Sequence, residues 1–421
     1  MNHETKPAPA ESPMHDANGT TMHVMPTHHL RIGVVGAGAM GVGIAQVAAA
    51  NGHRVLIADA QPTAMARARK SLISTMDRDV EKQRRTREDA DALLTRISFV
   101  DGVSDTSLQM FAHCGFVVEA VAENLDAKQR LFQRLDAIVA KDAILATNTS
   151  SLSITAIAAA CKHASRVVGV HFFNPAPLMP LVEIISAIST APEVASAALA
   201  LVRSWGKVPV TVKDTPGFLV NRVARPFYGE ALRILDEGIA DASTIDWALT
   251  TLGGFRMGPF TLMDLIGNDV NFAVSCSVYE NTFHDPRYRP SVTQQRMVEA
   301  GWLGQKSGRG YYLYAPLIIK PKPSEDRALG GQIVQRVLAM LVNEAVSALE
   351  LGIASAADIE TAMTKGVNYP RGLLEWGDML GPSLILHELE SLQQLYGDPR
   401  YRPTARLRAI ARTPNRRLLD G

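Results

Sequence analysis

A short apolar strand that runs into a glycine-rich turn, then a small-residue helix, then a second strand ending in an acid leaves a chain little choice of fold. Here Leu30-Arg31-Ile32-Gly33-Val34-Val35 leads into Gly36-Ala37-Gly38-Ala39-Met40-Gly41. A helix over 42–50 follows, Gly52 closes it, and the strand 54–58 ends in Asp59. GxGxxG alone is a weak signal. With a strand before it, a helix after it and an acid about 20 residues on, it specifies a dinucleotide-binding βαβ unit. Gly36 permits the tight turn, Gly38 lets a pyrophosphate approach the backbone, and Gly41 lets helix and strand pack closely. Ala39 and Met40 open the helix, whose N-terminus faces the phosphates. Asp59 would accept hydrogen bonds from ribose hydroxyls and repel a 2′-phosphate, which favours NAD over NADP.

The 421 residues allow two to three domains around that unit. A net charge of +1 argues against a nucleic-acid partner or an anionic membrane surface. No apolar run approaches the roughly 20 residues needed to span a bilayer. Cys114, Cys161 and Cys276 are far apart and odd in number, so they give neither a disulfide framework nor a metal spacing. A reducing, cytoplasmic interior suits them. Residues 1–29 hold five of the eleven histidines and no hydrophobic periodicity, and read as a disordered leader.

Residues 61–100 read as helical, a projecting arm with a basic cluster at Lys82, Arg84, Arg85 and Arg87. Such a cluster is by default a solvated face; contact with substrate phosphates is the alternative. Two further strands end in polar residues on the edge of the glycine loop. One, 116–118, leads to Glu119 and a helix carrying Lys128; the other, 143–146, leads to Thr147-Asn148-Thr149-Ser150-Ser151. The serines could cap a helix beginning near Leu152, and Asn148 and Ser150 could face the nicotinamide and the substrate oxygen.

The apolar run Val167-Val168-Gly169-Val170 ends in His171 and turns through Phe172-Phe173-Asn174-Pro175. Such a run delivers its histidine to the end of a sheet, where open α/β folds bind ligands. A lone carboxylate, Glu183, sits in the next apolar run, where it is costly unless paired. Paired with His171 it makes an acid/base; unpaired, His171 is a core histidine and Glu183 a rim charge. A helix over 191–206 and a strand over 208–212 complete the sheet, and after Lys213-Asp214-Thr215-Pro216-Gly217-Phe218 the chain reads as helices only.

Those helices repeat. Shifted by 114 (Arg222 to Arg336), Glu230, Gly238, Asp264 and Gly267 meet Glu344, Gly352, Asp378 and Gly381. One deletion later, Asp285-Pro286-Arg287-Tyr288-Arg289-Pro290 meets the identical string at 398–403. Gln335 stands opposite Asn221, so the second copy reads as a packing unit without its own active site.

The glycine loop, Glu119-Ala120-Val121, Asn148-Thr149-Ser150-Ser151-Leu152, His171-Phe172-Phe173-Asn174-Pro175, Leu181-Val182-Glu183, Asp214 through Arg222 and Gly304-Gln305-Lys306-Ser307-Gly308 occur together and in order. Over about residues 30–315 the chain resembles the 3-hydroxyacyl-CoA dehydrogenases. The resemblance implies an α/β plus all-α chain. Residues 30–213 would be a Rossmann-type NAD-binding domain and 214–315 a helical substrate and dimerisation domain. A linker at 316–330 would lead to a second helical copy at 331–410.

It also implies that His171 is the general base oriented by Glu183, with Ser150 and Asn221 on the substrate oxygen. NAD contacts would fall on Gly36, Gly38, Ala39, Met40, Gly41, Asp59, Glu119, Asn148 and Lys128. The reaction would be reversible oxidation of a (3S)-3-hydroxyacyl-CoA, as in fatty-acid β-oxidation. Alternatives are 3-hydroxyadipyl-CoA, a small non-CoA hydroxy acid of the carnitine or gulonate type, or a scaffold whose chemistry is lost. Single-copy relatives dimerise through the helical domain, so the chain is expected to be a homo-oligomer or an intrachain pseudo-dimer.

Overall fold

The computed structural model describes residues 30–316, 318–319 and 321–420, so the leader expected at 1–29 lies outside the described residues. Eight strands form one sheet: β1 (Ile32–Val35), β2 (Val55–Asp59), β3 (Ile97–Asp101), β4 (Phe116–Glu119), β5 (Ile144–Thr147), β6 (Val167–Phe172), β7 (Leu181–Ser186) and β8 (Val208–Lys213). Their order is β3-β2-β1-β4-β5-β6-β7-β8. β1 to β6 are parallel, β7 runs antiparallel to β6, and β8 is parallel to β7. The central strands are buried throughout, as unbroken Val/Ile/Leu runs require when both faces are covered. The strand order reverses between β1 and β4, which opens a crevice at the carboxyl edge.

Helices α1 (Ala39–Ala50), α2 (Pro62–Glu81), α3 (Arg87–Thr95), α4 (Leu125–Ile138) and α5 (Pro192–Ser204) flank the sheet. α1 ends at an Asn51 cap followed by Gly52 at φ 88°. One expectation needs correction. The stretch 61–100 is not helical to its end: Ile97–Asp101 forms edge strand β3, paired in parallel with β2. Only Ile97 and Val100 of its five residues are buried, so its pattern is too faint to stand out behind two charged helices.

From Asp214 onward the chain is helical, apart from isolated bridges at Gly304, Arg309 and Leu313. In the first copy α6 (Val220–Val223), α7 (Arg225–Asp236) and α8 (Asn268–Asn281) adjoin the sheet. The second copy begins on the long α9 (Arg327–Glu350) and continues in α10 (Ala356–Gly366). One apolar core runs from the sheet face at Leu145, Leu181 and Val210, through Phe227 of α7, to Val337 and Leu341 of α9.

The repeated polar residues cross between the copies. Arg222 donates to Glu344 (2.9 Å), and its counterpart Arg336 donates to Glu230 (3.0 Å). Arg287 reaches Glu344 at 3.2 Å, and Arg400 reaches Glu230 at 3.3 Å. Tyr288 and Tyr401 complete the two sets by donating to the same carboxylates. Each copy thus supplies the arginines that neutralise the other's buried glutamate, which is an internal pseudo-two-fold contact. Removing one partner of a pair buried this deep is strongly destabilising, because it leaves the other charge uncompensated. Gln335 donates to Glu388 (2.7 Å) within the second copy. No helix among the described residues is long and apolar enough to cross a membrane.

Candidate active site

The carboxyl edge of the sheet collects the residues that the sequence singles out. Gly36 takes φ +112°, and a Cβ there would lie 2.4 Å from the Ala120 carbonyl oxygen. A Cβ on Gly41 would lie 1.8 Å from the Gly36 oxygen, whereas one on Gly38 would meet nothing within 4 Å. Gly36 and Gly41 are therefore glycines for internal packing, and Gly38 is bare backbone facing open space. No side chain caps the start of α1, leaving its first amide groups for an anion. Asp59 accepts from the Ala37 amide (2.7 Å) and the Gln61 amide (2.8 Å), which fixes its carboxylate beside the loop. A cleft of about 1290 Å³ follows this edge past Gly38, Asp59, Ala120 and Asn174. Arg84 and Arg85 from the arm also line it, so half of the basic cluster faces the cleft. Arg87 instead pairs with Asp77 at 2.8 Å. These features fit a dinucleotide.

Glu119 and Lys128 lie deeper. They are 0% and 1% exposed and form an ion pair at 2.5 Å. Glu119 also accepts from the Val121 amide and the Thr147 hydroxyl, both at 2.7 Å. Their side chains face each other, and through Glu119 they are tied to Val121 after β4 and to Thr147 at the end of β5. Asn148 accepts from the Phe172 amide (2.8 Å), which ties the end of β5 to the residue after His171.

His171 and Glu183 are direct partners across the antiparallel β6–β7 pair. His171 Nδ1 lies 2.7 Å from Glu183 Oε2. Glu183 is 0% exposed, and its other oxygen accepts from the Leu219 (3.0 Å) and Val220 (2.9 Å) amides at the start of α6. Gly217 (φ 75°) and Phe218 (φ 48°) make the turn that aims those amides. The Phe173 and Phe218 rings stand 4.6 and 5.9 Å from the imidazole and keep it dry. With Nδ1 held by the carboxylate, Nε2 is the nitrogen left for chemistry.

Asn221 follows on α6, and its Nδ2 lies 3.4 Å from the Ser150 carbonyl. Ser150 and Ser151 do not cap the next helix, contrary to one expectation: Ser153 does, accepting from the Ala156 amide. The two serines are held by Glu123, which sequence reasoning missed. Its Oε1 accepts from the Thr149 hydroxyl (2.6 Å), the Ser150 amide (3.0 Å) and the Ser151 hydroxyl (2.9 Å). Burial works to raise the Glu123 pKa, but Lys128 and these donors outweigh it and hold the carboxyl below its usual range. An acid just before the Asn124 cap was the available signal. Asp214 plays a similar part, accepting from the Ser153 hydroxyl and the Thr155 amide.

The lining of the nucleotide cleft reaches Asn174, three residues past the histidine of a buried His–carboxylate pair, an arrangement that fits an NAD-dependent alcohol dehydrogenase. The sequence model described as "3-hydroxyacyl-CoA dehydrogenase, NAD binding domain" matches residues 31–215. The model of that family's C-terminal domain matches twice, at 217–314 and 331–416, so the repeat is two copies of one domain. The chain belongs to the 3-hydroxyacyl-CoA dehydrogenase family. It is therefore an NAD-dependent oxidoreductase acting on CH–OH groups. It is 38% identical to the 3-hydroxyadipyl-CoA dehydrogenase of Escherichia coli K12, across 90% of this chain and 97% of that protein. A probable 3-hydroxybutyryl-CoA dehydrogenase of Bacillus subtilis is 43% identical, covering 68% of this chain and 97% of its own length. The crystal structure of a 3-hydroxybutyryl-CoA dehydrogenase from Escherichia coli K12 superposes with a TM-score of 0.84 at 38% identity, covering 91% of this chain and 98% of that one.

Proposed function

We propose that the chain oxidises the hydroxyl of a (3S)-3-hydroxyacyl-CoA, short or dicarboxylic, with His171 as general base. The carrying observation is the 2.7 Å contact between His171 and a fully buried Glu183 at the cofactor edge. His171 Nε2 takes the hydroxyl proton, and Glu183 stabilises the imidazolium that forms. Ser150 and Asn221 donate hydrogen bonds to the substrate oxygen as charge develops on it, and Glu123 keeps the Ser150 loop in position. Bound NAD would supply hydride acceptance from C3 at its nicotinamide ring. Gly36 to Gly41 and Asp59 orient that cofactor, with Asn148 at its nicotinamide end; Glu119 and Lys128 act through the loops they brace. In reverse, protonated His171 returns its proton to the 3-keto oxygen.

The carnitine- and gulonate-type alternatives gain no observation of their own. In this reading residues 30–213 form the NAD-binding domain, 214–315 and 331–410 the two helical domains, and the protein works in the cytoplasm. The crossed Arg–Glu sets support an intrachain pseudo-dimer in which the second copy stands in for a partner subunit. The test is NADH consumption with acetoacetyl-CoA by the wild type and His171→Gln. Rapid turnover that falls by several orders of magnitude is expected. A variant that retains turnover would overturn the assignment of the base.

A further inference from the structure

In the proposed reading Asn221, on α6, faces the substrate oxygen, and Arg225 opens α7 four residues later. Arg225 Nε donates to the Asn221 carbonyl (2.8 Å) and Nη1 to the Ser275 hydroxyl (3.1 Å). Its guanidinium lies 4.9 Å above the Tyr228 ring. Five arginines are buried among the described residues: Arg166, Arg222, Arg225, Arg336 and Arg400. Four of them pair with Asp136, Glu344 or Glu230. Arg225 pairs with no carboxylate among the described residues, although it is only 7% exposed. Burial pulls its pKa below the ordinary value, but a guanidinium stays charged in proteins.

Tyr369, from the second helical copy, packs 5.7 Å from the Phe227 ring and 5.0 Å from Phe255. It is 6% exposed, and its hydroxyl has no hydrogen-bond partner. Arg225 and Tyr369 border one aromatic cluster: Arg225 lies over Tyr228, the Tyr228 ring stands 5.5 Å from Phe227, and Phe227 stands 5.7 Å from Tyr369. A buried cation without a counter-ion and a buried hydroxyl without an acceptor are each costly alone. Nη1 also reaches the Asn271 carbonyl (3.5 Å), so Nη2 is the nitrogen with no bond to these groups. A single carboxylate would supply both the missing counter-charge and the missing acceptor, with one oxygen on Nη2 and the phenol donating to the carboxylate. In a six-carbon dicarboxylyl thioester the distal carboxylate is three bonds beyond C3.

Resting on the dehydrogenase reading above, we propose that Arg225 and Tyr369 hold the distal carboxylate of a dicarboxylyl-CoA substrate. The second helical copy then completes the acyl end of the site. A monocarboxylic chain of four carbons would leave the guanidinium without a counter-charge and the phenol without an acceptor.

The test compares kcat/KM for 3-oxoadipyl-CoA and acetoacetyl-CoA in the full-length wild type, Arg225→Met, Arg225→Lys and Tyr369→Phe. The wild type is expected to prefer the dicarboxylyl substrate. That preference should fall about a hundredfold in Arg225→Met, or about 2.7 kcal/mol at 1.36 kcal/mol per decade. Tyr369→Phe removes one oxygen and no packing, and should lower the preference about tenfold, as loss of one charge-assisted hydrogen bond would. Arg225→Lys should recover part of the loss. A wild type that reduces acetoacetyl-CoA with no preference for the dicarboxylyl substrate overturns this inference alone. So does a preference left intact by Tyr369→Phe while Arg225→Met slows both substrates equally. A wild type that binds NADH and reduces neither thioester overturns the dehydrogenase reading together with this one.

Discussion

Replacing Glu183 by Gln keeps the side-chain volume, removes one charge and converts one oxygen to an NH2 group. The carboxylate now serves three N–H groups: His171 Nδ1 at 2.7 Å on one oxygen, and the Leu219 and Val220 amides at 3.0 and 2.9 Å on the other. An amide cannot serve both sides. Turning its NH2 toward the backbone sets two buried N–H donors against a donor, at about 1–3 kcal/mol each. The favoured orientation therefore turns the NH2 toward Nδ1. That nitrogen must then accept, which moves the ring proton to Nε2, the atom that should receive the alcohol proton. The charge that stabilises the imidazolium is lost as well. At an effective dielectric near 20, opposite unit charges about 4 Å apart attract by about 4 kcal/mol. That alone is about a thousandfold in rate, and the wrong tautomer adds to it. We expect kcat/KM for acetoacetyl-CoA to fall roughly 10³- to 10⁴-fold, with NADH affinity, read by fluorescence titration, nearly unchanged. A loss below about tenfold with normal NADH binding would refute the assignment of Glu183 as the partner of the base.

Glu344→Gln leaves Arg222 and Arg287 short of a counter-charge. It should cost about 3–5 kcal/mol, seen as a Tm fall of roughly 6–20 °C for a helical unit of this size. Glu230→Gln should match it by the internal symmetry; a marked inequality would count against that symmetry. Gly41→Ala, whose Cβ would sit 1.8 Å from a backbone oxygen, should prevent stable folding of the nucleotide loop and lower Tm. Gly38→Ala, with nothing within 4 Å, should leave Tm unchanged while weakening NADH binding in the same titration. At Asp136 burial works upward, but Arg166 and the Lys162 and His163 amides hold the carboxyl below its ordinary range. Its contribution is therefore present above the unfolded value of about 3.9 and is lost as pH falls through the lower folded value. Thermal melts of wild type and Asp136→Asn should differ at neutral pH and converge under strongly acidic conditions; a gap that widens on acidification would contradict this.

Much of the site was legible because its residues sit where local rules are strict. Glycine at 36, 38 and 41 answers to backbone geometry within one turn, and His171 ends a strand whose apolar run is unmistakable. Glu123 was not legible as a brace for the serine loop, since its donors come from 26–28 residues away. Arg225 carries no local signal that would set it apart from other helical cations. Only packing reveals that it is buried beside Asn221, with a tyrosine from 144 positions later (Tyr369 less Arg225) against the same aromatic cluster.

By itself the sequence determined the nucleotide-binding half, the polar residues along its edge and the existence of a second helical copy. Periodicity, turn chemistry and internal identity are properties of the chain read locally. The tertiary structure alone decided the rest: that β7 runs antiparallel and sets Glu183 opposite His171, and that Glu119 and Lys128 pair with each other. It also decided that each helical copy neutralises the other's buried glutamate. Those pairings join residues distant in sequence, and they are chosen by the need to keep no charge buried alone.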